Sequence, residues 1–371
     1  ILATLGGNIF LSIIAVLISI IACKTGLTFA LLTRYSFGST GSKAASIFVP
    51  VVNLGWYTIQ AATYGHFVAQ VFHMGQVGEG ICMAVSAIVM GIFAMCGIGA
   101  ITILGYIAIP AIVFLSIATA IRSLGVIGGM EALFAYVPSS DMPLFTGITA
   151  VIGTWVLSTA TCIADIMRYA KDTKAAVSAT LTGLLGGNIL MIVCGAIAAI
   201  AMQNSDLTVI LLGFGLVIPS LILMTTNIFT TNAANLYSTS LNLSNAFKME
   251  RKKMLAILLV LSALATLTKP YEIGFLFTFL NILGTVVPPL SGIILSDYFL
   301  VHKGRYAAYD KASFCKWNPV PWITWAISIA LVYMIPFGLP SLNGIILGAV
   351  LYTALMAISK QRVTTNLAEE A

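Results

Sequence analysis

Residues 225–235 of the chain read TTNIFTTNAAN and lie inside a segment that is long and apolar enough to cross a bilayer. Seven of these eleven side chains carry a hydroxyl or an amide, and none carries a charge. Polar groups at membrane depth are costly unless they face one another, a cavity or a ligand. On a helix Asn227, Thr230 and Thr231 share one face, whereas the two later asparagines point elsewhere and are expected to pack against other helices. We therefore expect the first face to be where a neutral polar substrate and a coupling cation meet.

The composition of the whole chain is that of an integral membrane protein. Of its 371 residues 59% are hydrophobic and 8% are charged, with a mean hydropathy of +1.03. Soluble globular proteins carry about 25% charged residues. The six cysteines show no metal or redox spacing, so we interpret them as small core residues. The chain begins inside an apolar segment, and we expect another helix to precede it in the natural protein.

At about 20 apolar residues per crossing, the chain contains eleven candidate membrane spans. They cover residues 1–22, 45–72, 80–95, 101–121, 144–169, 175–202, 209–241, 255–267, 273–300, 320–334 and 341–358.

The positive charges support this division into spans. All 18 basic residues except Arg122 and Lys269 fall in alternate loops, and lysine and arginine accumulate on the cytoplasmic side of a membrane. The distribution predicts a multi-pass protein of the inner or plasma membrane with a cytoplasmic C-terminus. One further span before residue 1 would give twelve crossings with both termini inside.

The span at residues 45–72 carries a polar stripe made of Asn53, Trp56 and Gln60. These positions lie on one face of a helix, where they offer an aromatic plane flanked by two amides. Such a face suits a flat heterocycle better than a sugar or a flexible amino acid. The alternative is a polar seam that packs against another helix.

The span at residues 144–169 carries small and hydroxylated residues around Gly153 and Trp155. A glycine in such a setting favours a discontinuous helix whose freed backbone amides turn toward a ligand. Trp155 and Ser158 share a face and could form a second aromatic wall. The alternative is an unbroken helix whose small residues serve close packing.

The hydroxyl oxygens of Thr230 and Thr231 are hard ligands of the kind that sodium accepts, and the Asn227 amide both donates and accepts. The alternative is that both hydroxyls bond back to their own helix, as threonine often does within membranes.

Nothing in the sequence indicates an enzyme. The three histidines are not clustered, and the chain contains no phosphate-binding loop, zinc-protease motif or nucleophile elbow. Asp165 and Asp297 lie near the cytoplasmic ends of their spans, and Asp165 is predicted to pair with Arg168 three residues on. No carboxylate lies at the membrane centre to relay protons.

The sequence resembles the nucleobase-cation-symport-1 family. The resemblance rests on short motifs that occur in order along most of the chain, and each is weak by itself. They are KTGLT at 24–28, RYSFG at 34–38, LGW at 54–56, ADIMRY at 164–169, NIFTTN at 227–232, VPP at 287–289 and DY at 297–298.

The resemblance implies an all-α integral membrane protein with a LeuT-like 5+5 inverted-repeat transporter fold, as a single domain over residues 1–371. Eleven of twelve transmembrane helices would be present, and the first and sixth helices of this fold are broken. The absent first helix would supply backbone carbonyls to sodium, so we expect these residues alone to hold half of the cation site and not to transport.

The resemblance also assigns roles to individual residues. The family's stacking tryptophan on the third helix matches Trp56, and the substrate amide one turn earlier, a glutamine in one branch, is Asn53 here. Gln60 and Trp155 resemble the glutamine and the second stacking tryptophan of another branch. Ser158 matches a substrate-facing serine.

On the eighth helix, Asn227 matches the substrate asparagine, and Thr230 and Thr231 match the sodium-binding hydroxyls. The implied function is import of a nucleobase, with cytosine favoured, by sodium-coupled symport and alternating access. The alternative substrates are a purine, allantoin, a hydantoin or a thiamine-precursor pyrimidine, with proton coupling as the alternative drive. Sodium, the substrate and the bilayer are the expected partners, without cofactor, nucleic acid or obligate protein partner.

Three other membrane classes fit the sequence less well. A channel should carry a continuous polar stripe or a ring of charge, whereas polarity here concentrates at mid-depth on three spans. A sensor should carry a sizeable cytoplasmic output domain, and a membrane enzyme should carry paired carboxylates, clustered histidines or metal ligands. The sequence contains none of these.

Overall fold

The computed structural model describes residues 2–96, 98–137, 143–204, 210, 212–215, 217–359 and 364–366. This part of the chain is mostly helical, and each of the eleven predicted spans contains helix. The α-helices are α1 Leu2–Thr25, α2 Phe29–Val71, α3 Gln76–Met95, α4 Ile98–Ile127, α5 Met130–Phe134, α6 Leu144–Leu157, α7 Ile163–Met167, α8 Thr173–Leu181, α9 Ile189–Met202, α10 Val217–Phe247, α11 Arg251–Thr266, α12 Ile273–Ser296, α13 Val320–Met334 and α14 Pro340–Ser359. The π-helical segments are Ser158–Cys162, Thr182–Asn188 and Asp297–Val301, and two short strands, β1 Ala312–Phe314 and β2 Thr364–Asn366, pair antiparallel.

Six described helical segments are long and apolar enough to cross a membrane. They are Leu2–Thr25, Gln76–Met95, Thr102–Ile127, Thr173–Met202, Ile273–Val301 and Pro340–Ser359. Two shorter helices, Leu144–Val156 and Val320–Met334, are also apolar. Many large apolar side chains on these helices are exposed, as Ile103, Ile107 and Phe114 are on α4. A bilayer would cover such a surface, so the molecule is a multi-pass membrane protein.

The chain divides into two compact units. Unit 1 comprises Ile1–Val49, Met142–Gly186 and Phe277–Ala371. Within it α1 packs on α6, α7 and α8, and α14 packs on α13. The hydroxyls of Ser19 on α1 and Thr180 on α8 share a hydrogen bond of 2.9 Å, which ties these two helices inside the unit.

Unit 2 comprises Pro50–Asp141 and Gly187–Leu276. Within it α10 packs on α3, α4 and α11, α3 packs on α11, and α4 packs on α9. The Arg251 guanidinium at the start of α11 donates to the carbonyl oxygen of Ala94 at the end of α3, at 2.8 Å. Such a contact satisfies a carbonyl group that the helix end leaves free.

The start of α2 differs from the sequence expectation. The basic residues of 24–43 indicated a loop, but α2 begins at Phe29 and is interrupted at Gly38, which has φ 80° and ψ 174°. At this break the backbone amides of Ser39 and Thr40 leave the helical pattern and donate to the carbonyls of Cys315 and Lys316, both at 2.8 Å. Only glycine fits at position 38, because a Cβ there would lie 2.7 Å from the Cys315 oxygen and the φ disfavours L side chains.

The discontinuity expected around Gly153 is not found there. α6 is helical through Leu157, and the irregularity is the following wide turn of π-helix, Ser158–Cys162. Gly153 instead permits close packing, since a Cβ at this position would lie 2.7 Å from the carbonyl oxygen of Leu280. The packing alternative left open by the sequence therefore holds for this glycine. Extra turns of π-helix often mark functional sites.

The ion pair predicted between Asp165 and Arg168 is replaced by a helix cap. The Oδ1 atom of Asp165 accepts a hydrogen bond from the backbone amide of Phe29 at 2.9 Å, at the first residue of α2. Arg168 donates through Nε to the backbone oxygen of Asp165 at 3.4 Å. Among the described residues, no ion pair joins the side chains of Asp165 and Arg168. A carboxylate at a helix N-terminus accepts a hydrogen bond from a backbone amide that has no partner within the helix. The spacing of Asp165 and Arg168 in the sequence did not predict this contact with Phe29.

Candidate substrate and cation site

The stripe predicted on α2 lies in unit 2 and is largely buried. Asn53 is 2% exposed, and Trp56 and Gln60 are half-buried. The Oε1 atom of Gln60 is buried and has no hydrogen-bond partner among the described residues. A buried carbonyl oxygen without a partner costs about 1–3 kcal/mol, so this atom, on the helix face that also bears Trp56, indicates a group that a ligand can satisfy.

The face predicted on α10 also lies in unit 2, and its hydroxyls bond to their own helix. Thr230 donates to the carbonyls of Thr226 and Asn227, both at 2.9 Å, and Thr231 donates to the carbonyl of Asn227 at 3.1 Å. This is the alternative that the sequence left open. A hydroxyl that donates in this way keeps its oxygen lone pairs, so both threonines retain the capacity to bind a cation.

Among the described residues, three hydrogen bonds between α2 and α10 inside unit 2 form a row at regular spacing, which we call the heptad seam. The Asn232 amide donates to the Tyr57 carbonyl at 3.0 Å and contacts the Met90 sulfur, which confirms its predicted role in helix packing. The seam consists of Thr239 with the Pro50 carbonyl at 3.5 Å, Asn232 with Tyr57, and Tyr64 with the Thr225 hydroxyl at 2.8 Å.

Successive contacts of the heptad seam are seven residues apart on each helix and run in opposite directions along the two chains. The two helices are therefore antiparallel and in register. At 3.6 residues per turn, Trp56 and Gln60 lie to one side of the seam on α2, and Asn227 and Thr231 lie to the same side on α10. The register also brings Gln60 and Asn227 to similar depths, between the Tyr57 and Tyr64 contacts. The predicted residues of α2 and α10 thus lie on two helices that contact each other within unit 2.

The remaining two predicted residues lie in unit 1 on the helical segment that follows residue 143. Trp155 is 38% exposed near the end of α6. Ser158 begins the π-helical turn, and its side chain lies outside the described part of the structure.

Two buried carboxylates form charged clusters outside the predicted site. In unit 2, Glu79 accepts hydrogen bonds from Tyr271 at 2.6 Å and Lys269 at 3.2 Å and lies 2.8 Å from Nδ1 of His66. Its partners stand 13, 190 and 192 residues away in the chain, so no local pattern could identify the cluster. Neither His66 nor Glu79 belongs to a sequence motif that predicts this cluster.

In unit 1, Asp297 is fully buried and accepts hydrogen bonds from the hydroxyls of Tyr306 at 2.6 Å and Tyr352 at 2.7 Å. The imidazole of His302 lies 3.6 Å from the carboxylate. Burial and the Asp297 charge raise the pKa of Tyr306 well above its usual value, so this hydroxyl stays protonated and continues to donate. The cluster fastens the end of α12 to α14 and to the loop that follows residue 301.

The apolar helices and their exposed apolar surface define the class of protein as a multi-pass membrane protein, and its fold is found among solved structures. The fold matches that of Mhp1, a nucleobase-cation-symport-1 family transporter whose closed conformation was solved with bromovinylhydantoin bound. The TM-score is 0.84 at 20% identity, over 99% of this chain and 87% of the other.

Sequence comparison then gives the family. The family described as "Permease for cytosine/purines, uracil, thiamine, allantoin" matches residues 1–356, and the chain belongs to it. The cytosine permease of Escherichia coli is 30% identical over 99% of this chain and 85% of its own length. The hydantoin permease of Microbacterium maritypicum is 25% identical over 90% of this chain and 74% of its own length. These comparisons confirm the predicted nucleobase-cation-symport-1 family, whose members are permeases and not enzymes, and they support a nucleobase-type transporter.

Proposed function

We propose that the protein imports a nucleobase, cytosine or a close analogue, by sodium-coupled symport. In this proposal Trp56 stacks on the flat face of the base, and Asn53, Gln60 and Asn227 read its edge. The roles of Trp155 as a second stacking residue and of Ser158 as a further polar contact stay predictions from the family resemblance. The relatives named above, which include permeases for cytosine and for hydantoin, support this class of substrate.

The observation that carries the proposal is the buried, unpartnered Oε1 atom of Gln60 on the face that also bears Trp56. An oxygen in this state is stabilised by an N–H donor from a ligand, and the edge of a nucleobase offers such donors. The stacking face and the acceptor together suit a flat ring that carries N–H groups.

Sodium coupling is proposed on the chemistry of Thr230 and Thr231. Their hydroxyl oxygens retain lone pairs for a hard cation, and further carbonyl oxygens would complete the coordination. We further propose that the chain works as one domain with a 5+5 inverted repeat. It would lie in the inner or plasma membrane with its C-terminus in the cytoplasm, as the distribution of basic residues indicates.

The function is tested by the uptake of labelled cytosine into cells that produce the native protein, with and without a sodium gradient. We expect uptake to require sodium. Uptake that is indifferent to sodium would remove the coupling and favour protons. If neither uptake nor binding occurs with any nucleobase, the substrate assignment is wrong.

The stacking role is tested with Trp56→Ala. Loss of a stacked base costs about 1–3 kcal/mol, so we expect the dissociation constant for cytosine to rise about 5- to 150-fold. Trp317→Ala is the matched control, because Trp317 stacks on Trp322 in unit 1 and has no predicted contact with substrate. Unchanged cytosine binding by Trp56→Ala would exclude the stacking role.

The identity of the heterocycle needs a separate measurement. Gln60 resembles the hydantoin branch of the family, and a hydantoin permease is among the relatives. Competition of cytosine, uracil, adenine, allantoin and benzylhydantoin against labelled ligand would rank them. A hydantoin that displaces cytosine at lower concentration would support the alternative substrate.

A further inference from the structure

The hydrogen bond between Tyr64 and Thr225 lies at the edge of the proposed substrate site in unit 2. On α2, Tyr64 follows Gln60 by four residues and therefore continues the face of Asn53, Trp56 and Gln60 by one turn. On α10, Thr225 stands two residues before Asn227. The two hydroxyl oxygens are 2.8 Å apart and partly buried, so one of them donates to the other in a direct contact between the helices.

The heptad seam places the Tyr64–Thr225 contact close to two residues of the proposed site. Gln60 on α2 and Asn227 on α10 both lie between the Tyr57–Asn232 contact and the Tyr64–Thr225 contact. Seven residues of helix span about 10 Å, so the two contacts bracket a short window that contains both amides. Both amides also lie on the same side of the seam, so a change in the spacing of the two helices would move one amide relative to the other.

Aromatic packing holds the Tyr64 ring in place. The ring of Phe229 meets it edge to face, with centroids 5.4 Å apart, and Phe229 in turn meets Phe93 in the same geometry at 5.6 Å. Phe229 is 8% exposed and has little room to move. Because the ring is confined, the Tyr64 hydroxyl is held toward α10 before any ligand binds.

We infer that the Tyr64–Thr225 hydrogen bond is a positioning and specificity-determining element of the transporter. It holds α2 and α10 at a fixed spacing, so that Gln60 and Asn227 fit a small ring and reject a bulkier one. This inference rests on the proposed nucleobase site. Neither hydroxyl needs to touch the substrate, because both act through the position of the two amides.

The test is a double-mutant cycle on purified native protein with Tyr64→Phe, Thr225→Val and the pair combined. Each single change removes one hydroxyl with little change of shape. A net hydrogen bond contributes about 1 kcal/mol, so we expect each single variant to bind cytosine about fivefold more weakly. We expect the double variant to be no weaker than the single ones, since all three lack the same bond.

Selectivity is the readout that a purely structural role would not move. We expect Tyr64→Phe to weaken cytosine binding while benzylhydantoin binding stays equal or improves, so that the ratio of the cytosine to the benzylhydantoin dissociation constant rises. Thr225→Ser keeps a hydroxyl and should restore the wild-type ratio. Thr226→Val is the matched control, because the Thr226 hydroxyl donates to its own helix at Ile222.

The outcomes separate this inference from the proposed function. If the wild-type protein binds no compound of the panel, the proposed function fails and the inference fails with it. If wild-type binding is present but Tyr64→Phe and Thr225→Val leave both dissociation constants unchanged, only the positioning role is overturned. The role is also overturned if both ligands weaken equally, or if the two single effects add in the double variant.

Discussion

Glu79 in unit 2 and Asp297 in unit 1 are both buried carboxylates near a helix end, but their partners differ in charge and in distance along the chain. Glu79 bonds Lys269 and Tyr271 and lies beside His66, so a full positive charge balances it. Its partners come from α2 and from the connection after α11. The carboxylate thus joins segments that are remote in the sequence.

Asp297 has no lysine or arginine among its described ion pairs. Two tyrosine hydroxyls and one histidine hold it, and two of these partners, His302 and Tyr306, follow within nine residues. A carboxylate can thus be buried either against a permanent cation or against hydroxyl groups and a histidine whose charge depends on pH. Removal of the carboxylate then leaves an unpaired charge in the first case and unpaired hydroxyls in the second.

The largest effect is expected at Asp297, which is fully buried. Asp297→Asn removes the charge and replaces one carboxylate oxygen with an amide group, which donates hydrogen bonds. The hydroxyls of Tyr306 and Tyr352, which surround this position, are donors as well. At least one tyrosine hydroxyl loses its acceptor, and we expect a loss of about 3 kcal/mol in the free energy of unfolding. Thermal unfolding in detergent measures this loss. Asp310→Asn, at an exposed carboxylate of the same loop, is the control, and equal midpoints for the two variants would contradict the prediction.

A smaller effect is expected at Glu79, because Lys269 is one-third exposed and water can solvate it in part. Glu79→Gln should cost about 2 kcal/mol by leaving the ammonium group unpaired. A second change, Lys269→Met, should recover part of this loss, since no uncompensated cation then remains. Glu272→Gln, at an exposed position of the same connection, should leave the unfolding midpoint unchanged. Additive losses in the double variant would show that the pair is not coupled.

The smallest effect is expected at His302 and depends on pH. Burial lowers the pKa of this imidazole, but the hydrogen bond and the charge of Asp297 outweigh burial, so the pKa lies above its usual value of 6.5. The stability that protonated His302 contributes is therefore fully present below pH 6.5. It is lost as the pH rises through the raised pKa of the folded state.

His302→Gln should flatten the decline of the unfolding midpoint above pH 6.5, where the native imidazole loses its proton. The exposed His73 offers a control variant, His73→Gln, which is measured over the same pH range. A wild-type slope in His302→Gln would show that this histidine does not titrate against Asp297.

The sequence predicted well those features that depend on residues within one helix. The face of Asn53, Trp56 and Gln60 could be found because its members recur at helical spacing, and the helices follow from length and hydropathy. The break at Gly38 could not be placed, because basic residues indicated a loop while burial of Tyr35 and Phe37 favours packed helix. The distribution of charged residues indicates which segments can be exposed to water. It does not indicate which apolar residues a helix packs against.

The partners of buried polar groups could not be predicted for a similar reason. Tyr64 and Thr225 are separated by 161 residues, and their contact depends on the register of two antiparallel helices. Asp165 was matched with the nearest basic residue in sequence, whereas the structure gives it a backbone amide on another helix. Hydrogen-bond partners across a fold follow from tertiary packing, which periodicity within one segment does not encode.

The equal spacing of the heptad seam means that its contacts can form only when α2 and α10 keep one register. A single residue inserted into α10 between Thr225 and Asn232 would turn the residues on one side of the insertion by about 100° relative to those on the other. Only one of the two contacts could then re-form, so the helices would lose one of the two hydrogen bonds that bracket Gln60 and Asn227. Single-residue insertions and deletions in this part of α10 should therefore be tolerated far less well than substitutions at the same positions.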